Sequence, residues 1–475
     1  MTISHNIPST LRRPGTFHEF DLTSSQQSLT PLANRVLLVG MKTAAGTATA
    51  DDFVQVLDEA TSDGLFGEGS EVSLMVRKAL EMGRLVGFQP EIWVSPIAEP
   101  GAGTAATFTI TVVGTAAAGS DIVFRIGEAL FRAGVSKDDT ATEIGDAIVD
   151  AINEKLDQVP VTAANAAGVV TLTFKYKGEN GNDLKVLVDD VGLSGVTVTP
   201  AAAVVGAGVA DPTTALDNSL AKFFEVVALA NHKAADVTLV NTHLDLAWAA
   251  DEKRWRFVFM GENGTLSTAN GLATAANDER QVFGTYEDSP SMPGLISTAL
   301  ATLVAARELP NYNWDFSEIA LAAPPDASVY TKAEVESALA AGTTPIAPND
   351  ARDKSEVQRM ITSKTTEGGN PFERVKDLAT MRGLVYTTRQ LEVAFSQKFK
   401  AENKSALVLR RMRSVAFEVL TQLEDLGVTQ NVDELFPQLI VDSDPLVPTR
   451  AVVSIPESII PNLHQIVLKH VLFVE

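Results

Sequence analysis

Apolar positions along this chain follow two periods, and the changes of period mark its parts. Arg35-Val-Leu-Leu-Val-Gly40 and Glu91-Ile-Trp-Val-Ser-Pro-Ile97 are short continuous apolar runs, the pattern of strands covered on both faces. Between them Val72, Met75, Val76, Ala79 and Leu80 recur at helical spacing behind Ser70, a suitable N-cap, and Gly83 closes that helix. Residues 51–60 also read as helical, and 64–70 as a loop. The opening is therefore βαβ-like.

The pattern changes at Pro96. Residues 98–212 are rich in Ala, Thr, Val and Gly, with alternating strands predicted at 107–113, 121–126 and 169–177. One helix, 140–156, carries Ile144, Ala147, Ile148, Ala151 and Ile152 on a face. Gly101, Gly103, Gly206 and Gly208 bracket the piece, which reads as an α+β domain inserted into the body. Beyond it Leu216, Leu220, Phe223, Phe224 and Val227 predict a helix, and 236–240, 256–260 and 281–286 predict strands. Leu295, Ile296, Ala299, Leu300, Leu303 and Val304 form one helical stripe. Thr331-Lys-Ala-Glu334 is a capping box that opens a helix ending at Gly342. A long helical pattern follows at 404–426, then strands at 450–455 and 464–474.

Both ends are more apolar than solvated tails. Residues 1–32 contain Pro8, Pro14 and Pro31, which exclude a helix, yet carry Ile3, Ile7, Leu11, Phe17, Phe20 and Leu22. They are too sparse for a core and are expected to lie extended against the body or another copy. In the last strand Ile466, Leu468, His470, Leu472 and Val474 alternate with Val467, Lys469, Val471 and Phe473. Both faces are mostly apolar, so burial on both sides is expected, in the subunit's own sheet or a neighbour's.

Composition narrows the function. The 475 residues suggest roughly three domains at about 150 residues each, and 45% hydrophobic content is enough for large cores. The absence of Cys removes disulfides, thiolate metal sites and thiol nucleophiles. A net charge of −22 disfavours nucleic acid as a partner. The first ten residues are polar, and the longest small-apolar stretch, 196–210, falls short of the ~18 residues of a membrane span. A soluble protein of a reducing cytosol is expected.

No catalytic template fits. Gly40-Met-Lys-Thr43 follows a strand but lacks the Walker A spacing, and no G-x-G-x-x-G, G-x-S-x-G or H-E-x-x-H occurs in the required setting. Ser219-Leu-Ala-Lys222 matches S-x-x-K without its partner motifs; His243 and Asp245 are two ligands, not a site. Gly178-Glu-Asn-Gly-Asn-Asp183 reads as a polar turn, its oxygens too closely spaced for a calcium loop. No catalytic residue, cofactor or metal is expected. Charge is more telling: residues 374–413 hold ten Lys/Arg against three acids, a net +7. Either acids within 414–475, such as Asp442 and Asp444, or an acidic surface on another molecule would answer them.

In their order, Ile7-Pro8, Arg13-Pro-Gly-Thr-Phe17, Arg35–Gly40, Leu65-Phe-Gly-Glu-Gly-Ser70, Glu91-Ile-Trp-Val94, Ala451-Val-Val-Ser-Ile-Pro456 and the apolar end resemble contractile-tail sheath proteins of bacteriophages, the Mu-like tail sheath family above all. The resemblance runs over essentially the whole chain and rests on order rather than on one motif. It implies a multidomain α/β sheath subunit: an α/β core, an inserted α+β domain, and extended N- and C-terminal arms that augment neighbouring sheets. The corresponding division is an arm at 1–32, a middle α/β domain at 33–97 and 213–310, the insertion at 98–212, an inner C-terminal domain at 311–459, and a terminal strand at 460–475. Subunits of this kind stack as sixfold rings around a tail tube, between baseplate and tail terminator proteins, and contract without a nucleotide to drive the tube through the host envelope. The implied subunit contacts are Ile7, Phe17, Phe20, Leu22, Val467, Leu468, Val471, Leu472 and Phe473. The implied tube-facing residues are Lys398, Lys400, Lys404, Arg410 and Arg411. The resemblance places the protein in the virion, and in the host cytoplasm during assembly. The alternatives are the sheath of a related secretion or bacteriocin particle, or an α/β enzyme holding an anion at Gly64–Ser70 before a helix.

Overall fold

A computed structural model describes residues 34–192, 194–307 and 309–469. The expectations for Ile7, Phe17, Phe20, Leu22, Val471, Leu472 and Phe473 lie outside these residues. The described chain divides into two units: 34–386 with 427–430 and 458–469, and 387–426 with 431–457.

The larger unit is built on a nine-stranded sheet. Arg35–Met41 is the third strand from one edge, paired in parallel with Glu91–Ile97 on one side and Val226–Leu229 on the other. The sheet continues in parallel through Phe257–Glu262, Gln281–Thr285 and Thr343–Pro348. Antiparallel strands Ser355–Val357 with Ser317–Ile319, and Val54–Val56, finish its edges. The strand order reverses direction at Arg35–Met41, so right-handed crossovers put helices on both faces. Helices Glu71–Val86 and Pro293–Ala305 pack together over the centre; Ala234–Ala247, Leu266–Ala276 and Lys332–Ala341 form a second group. Every residue of Pro293–Ala305 is buried, as its all-round apolar sequence requires.

Several expectations are corrected. Residues 54–56 form an edge strand, because the segment is too short for a helix and the helix begins only at Glu59, where Asp58 accepts the Thr61 N–H at 2.8 Å. The helix expected through 216–227 stops at Asn218; Val226–Leu229, four buried apolar residues, become a central strand. Residues 236–240 are helical: the Asp236 carboxylate accepts the Lys233 N–H at 2.9 Å, and Val237, Val240 and Leu244 point inward one turn apart. The boundary at 310 is also displaced, because 317–357 completes the main sheet.

The insertion begins and ends at one place. Thr104 and Ala207 exchange backbone hydrogen bonds at 3.0 and 3.1 Å, which closes the neck. Beyond the neck lie a four-stranded antiparallel sheet, a three-stranded one, and helix Ala141–Asn153 packed on strands of both. A 3₁₀ turn, Glu179–Asp183, returns from this domain to the carboxyl edge of the main sheet. A Cβ at Gly206 would come within 2.4 Å of the Gly178 carbonyl, so the neck tolerates only glycine there.

Candidate functional site

Residues 460–464 are anchored, and 465–469 are exposed. Ile460 donates its N–H to the Val428 carbonyl at 3.1 Å, and Asn313 donates to the Leu463 carbonyl at 3.3 Å. His464 Nδ1 lies 2.6 Å from Asp315 and its Nε2 3.2 Å from Asp377, which also takes a two-pronged grip from Arg359. Past this root, 465–469 form no strand, and Ile466, Val467 and Leu468 are 73%, 90% and 76% exposed. The described part of the expected strand, 465–469, is therefore not a strand and has no cover on either face among the described residues; its remainder lies outside them.

The smaller unit shows a matching incompleteness. Helix Ala406–Asp425 buries Val408, Val415, Ala416, Val419, Leu420 and Leu423. Strands Ile440–Ser443 and Ala451–Ser454 pair only with each other among the described residues, and Ile440, Leu446 and Val452 are exposed. A two-stranded ribbon with no further strand among the described residues is marginal alone and is a ready template for further strands. Burial pushes the Glu457 carboxyl up to about 7, and its Oε2 has no hydrogen-bond partner.

The basic run of 374–413 divides by role. Arg382 is buried and binds Glu225 at 2.8 Å beneath Trp314, so it is part of the core. Lys376 meets Glu373 at 2.9 Å. Of the tube-facing candidates, Lys398 pairs with Glu418 at 2.9 Å and Arg411 with Glu402 at 2.8 Å. Lys404 donates to the carbonyls of Pro448 and Arg450, which ties the helix start to the ribbon. Arg410 donates to Ala406 of its own helix, and Lys400 is exposed. Asp444 bonds Arg450 instead of any of these five.

A polar cluster of the larger unit sits at the carboxyl edge of the sheet, where the strand order reverses. Glu71, buried at the start of its helix, accepts the Met41 N–H and the Asn180 amide, each at 2.9 Å. Burial raises its pKa above the usual carboxylate range. His232 Nδ1 lies 3.1 Å from the Ala230 carbonyl; its Nε2 lies 3.1 Å from Asp183 Oδ2 and 4.0 Å from Glu262 Oε2. Burial would lower the His232 pKa, but the Asp183 carboxylate outweighs it and holds the value raised. Burial would raise the pKa of Asp183, which is partly exposed, but His232 and Lys233, whose ammonium is 3.1 Å away, hold it low.

These residues were not among the sequence candidates. Asp183 belonged to a segment read as a polar turn, and His232 and Glu262 are 49 and 79 positions further on. The one available signal was their place just past, or at the end of, apolar strands. The other motifs are structural. Ser219 is buried, donates to the Leu216 carbonyl and accepts from Arg256. His243 is pushed down to about 3 by burial and by Arg256 beside it. At Gly64–Ser70 the Ser70 hydroxyl accepts the Ser73 N–H and so caps the helix, and the Glu71 carboxylate accepts the Met41 N–H.

No family model matches the chain. It is 25% identical over 484 aligned positions to the Mu-like prophage FluMu tail sheath protein of Haemophilus influenzae, across 97% of each chain. Its fold is similar to a sheath tail protein from Desulfitobacterium hafniense, with a TM-score of 0.50 and 15% identity, across 94% of this chain and 100% of that one. It is also similar to a chain of the sixfold-symmetrised anti-feeding prophage baseplate, with a TM-score of 0.50 and 12% identity, across 98% of this chain and 100% of that one.

Proposed function

We propose, from the premise that this chain is a relative of the Mu-like tail sheath proteins over nearly its whole length, that it is the structural subunit of a contractile tail sheath. The observation that carries this reading is an α/β body joined to an apolar segment that is anchored at His464 and whose Ile466, Val467 and Leu468 have no cover among the described residues. Ile466, Val467 and Leu468 of one copy add to an open edge of the Ile440–Ser443 and Ala451–Ser454 ribbon of another. Repeated from copy to copy, that exchange joins subunits into hexameric rings and stacked rings while each body stays folded.

The sheath surrounds a tail tube and ends on a baseplate, in the virion. Lys398, Lys400, Arg410 and Arg411 are the tube-facing residues of this reading; Lys404 serves the subunit's own ribbon. Exposed charge pairs contribute only about 0–1 kcal/mol each, so many of them can hold a tube and be released together. No catalytic step is assigned, and contraction draws on packing differences between two subunit arrangements.

Negative-stain microscopy of the purified chain tests the reading. Tubes or rings with a hollow bore are expected. A clean monomer at high concentration, with both ends resistant to protease, would contradict it.

A further inference from the structure

We propose that Asp183, His232 and Glu262 form a binding site for a divalent transition-metal ion, with Zn²⁺ or Mn²⁺ the fitting class, which bolts the inserted domain to the carboxyl edge of the main sheet. Their ligand atoms all lie within 4.8 Å of one another. The His232–Asp183 and His232–Glu262 separations, 3.1 and 4.0 Å, bracket the roughly 3.4 Å expected between ligands on one tetrahedral ion with bonds of about 2.0–2.2 Å. One imidazole and two carboxylates suit zinc or manganese better than magnesium, which prefers oxygen alone.

The histidine is set up for this role. A carbonyl can only accept, so Nδ1 carries a proton toward Ala230 and Nε2 is the nitrogen turned to the carboxylates; an ion bound there takes the place of the Nε2 proton that Asp183 otherwise favours. Nε2 is 3.1 Å from Asp183 yet makes no aligned hydrogen bond, in a residue that is 1% exposed. A buried nitrogen whose hydrogen bond is poorly aligned gains from a partner placed along its axis. A second group points the same way: the Tyr176 hydroxyl, also buried and unpartnered, has Glu71 and Asp183 as its charged neighbours.

The remaining ligand oxygens are held in place. Glu262 Oε1 accepts the Gly264 N–H at 2.7 Å, and its Oε2 is the atom turned toward His232. Lys233 touches both oxygens of Asp183; its hold on Oδ1, at 3.2 Å, is compatible with Oδ2 on an ion. Asn263 donates to the Asp183 backbone carbonyl at 2.9 Å and fixes the turn itself. The site lies outside the carboxyl ends of parallel strands at a reversal of strand order, where open α/β sheets bind ligands. Here the insertion supplies one ligand and closes the crevice. This inference concerns the subunit alone and does not depend on sheath assembly.

The test uses the full chain, stripped with EDTA and dialysed against Zn²⁺, Mn²⁺ or Mg²⁺, with bound metal measured by mass spectrometry. One equivalent of Zn²⁺ or Mn²⁺ and none of Mg²⁺ is expected, with a melting temperature that rises with the ion's concentration. Asp183→Asn and His232→Gln should each weaken binding at least tenfold, while Asp315→Asn, at the other histidine–aspartate group, leaves it unchanged. If either variant misfolds, Co²⁺ added to the unaltered chain supplies the readout: a visible spectrum with one nitrogen ligand is expected. Failure to retain stoichiometric metal, equal retention by Asp183→Asn, or loss of retention in Asp315→Asn alone would overturn the proposal.

Discussion

Helix 293–305 and segment 465–469 are made of similar residues and meet opposite fates. Every residue of the helix is buried between the sheet and a neighbouring helix, whereas Ile466, Val467 and Leu468 stand in solvent. Burying one Ile, Val or Leu side chain stabilises by about 1.5–3 kcal/mol, so the exposed three represent several kcal/mol available only to association. Among the described residues, the helix is covered on every side while 465–469 has no cover. Contiguous exposed apolar residues of this kind mark interfaces.

The sharpest way to break the self-sufficient side of this comparison is at Glu225. Removing one partner of a buried ion pair strands the other charge, so Glu225→Ala, which orphans Arg382, should cost about 3–5 kcal/mol in urea unfolding. A loss below about 1 kcal/mol would show that the pair is not buried in solution.

The incomplete side predicts a pH effect in the smaller unit. Glu457 has a folded value raised above its unfolded one, so its neutral form is the stabilising one. Stability should be full below about pH 4.5 and fall as pH rises to about 7, by on the order of 3 kcal/mol in all. Glu457→Gln should flatten that slope, and an unchanged slope in the variant would assign it elsewhere. Smaller still, Lys398→Ala removes one half-exposed pair with Glu418 and should change stability by less than about 1 kcal/mol. Reversing Lys398, Lys400 and Arg411 together should leave the subunit folded yet make tube association weaker and more salt-sensitive. Unchanged salt dependence would make these charges purely structural. The smallest folding effect belongs to Val467→Asp with Leu468→Asp, at most about 0.5 kcal/mol because neither residue is covered. Their effect on self-association should nonetheless be complete.

The comparison also explains what was readable in advance. Ser70 and the Thr331–Glu334 capping box announce helices through bonds made within three residues, and both are present. The run Val36–Val39, closed by Gly40 and preceding a turn, reads as a buried strand and is one. Val226–Leu229 was misread because four apolar residues carry no period of their own, and their neighbours lent them a helical one. The exposed end defeated the reading for another reason: alternation on both faces states that cover is needed but not which molecule provides it. The Asp183, His232 and Glu262 cluster has no linear signature at all, since only the strand reversal and the returning 3₁₀ turn unite its members.

The central claim, that this subunit is completed by another copy through its apolar end, is tested most directly by deleting residues 465–475 and comparing the two chains by light scattering and electron microscopy. The account predicts that the full chain polymerises, while the shortened chain unfolds with the same stability and remains a monomer. A shortened chain that still forms the same polymers would contradict it.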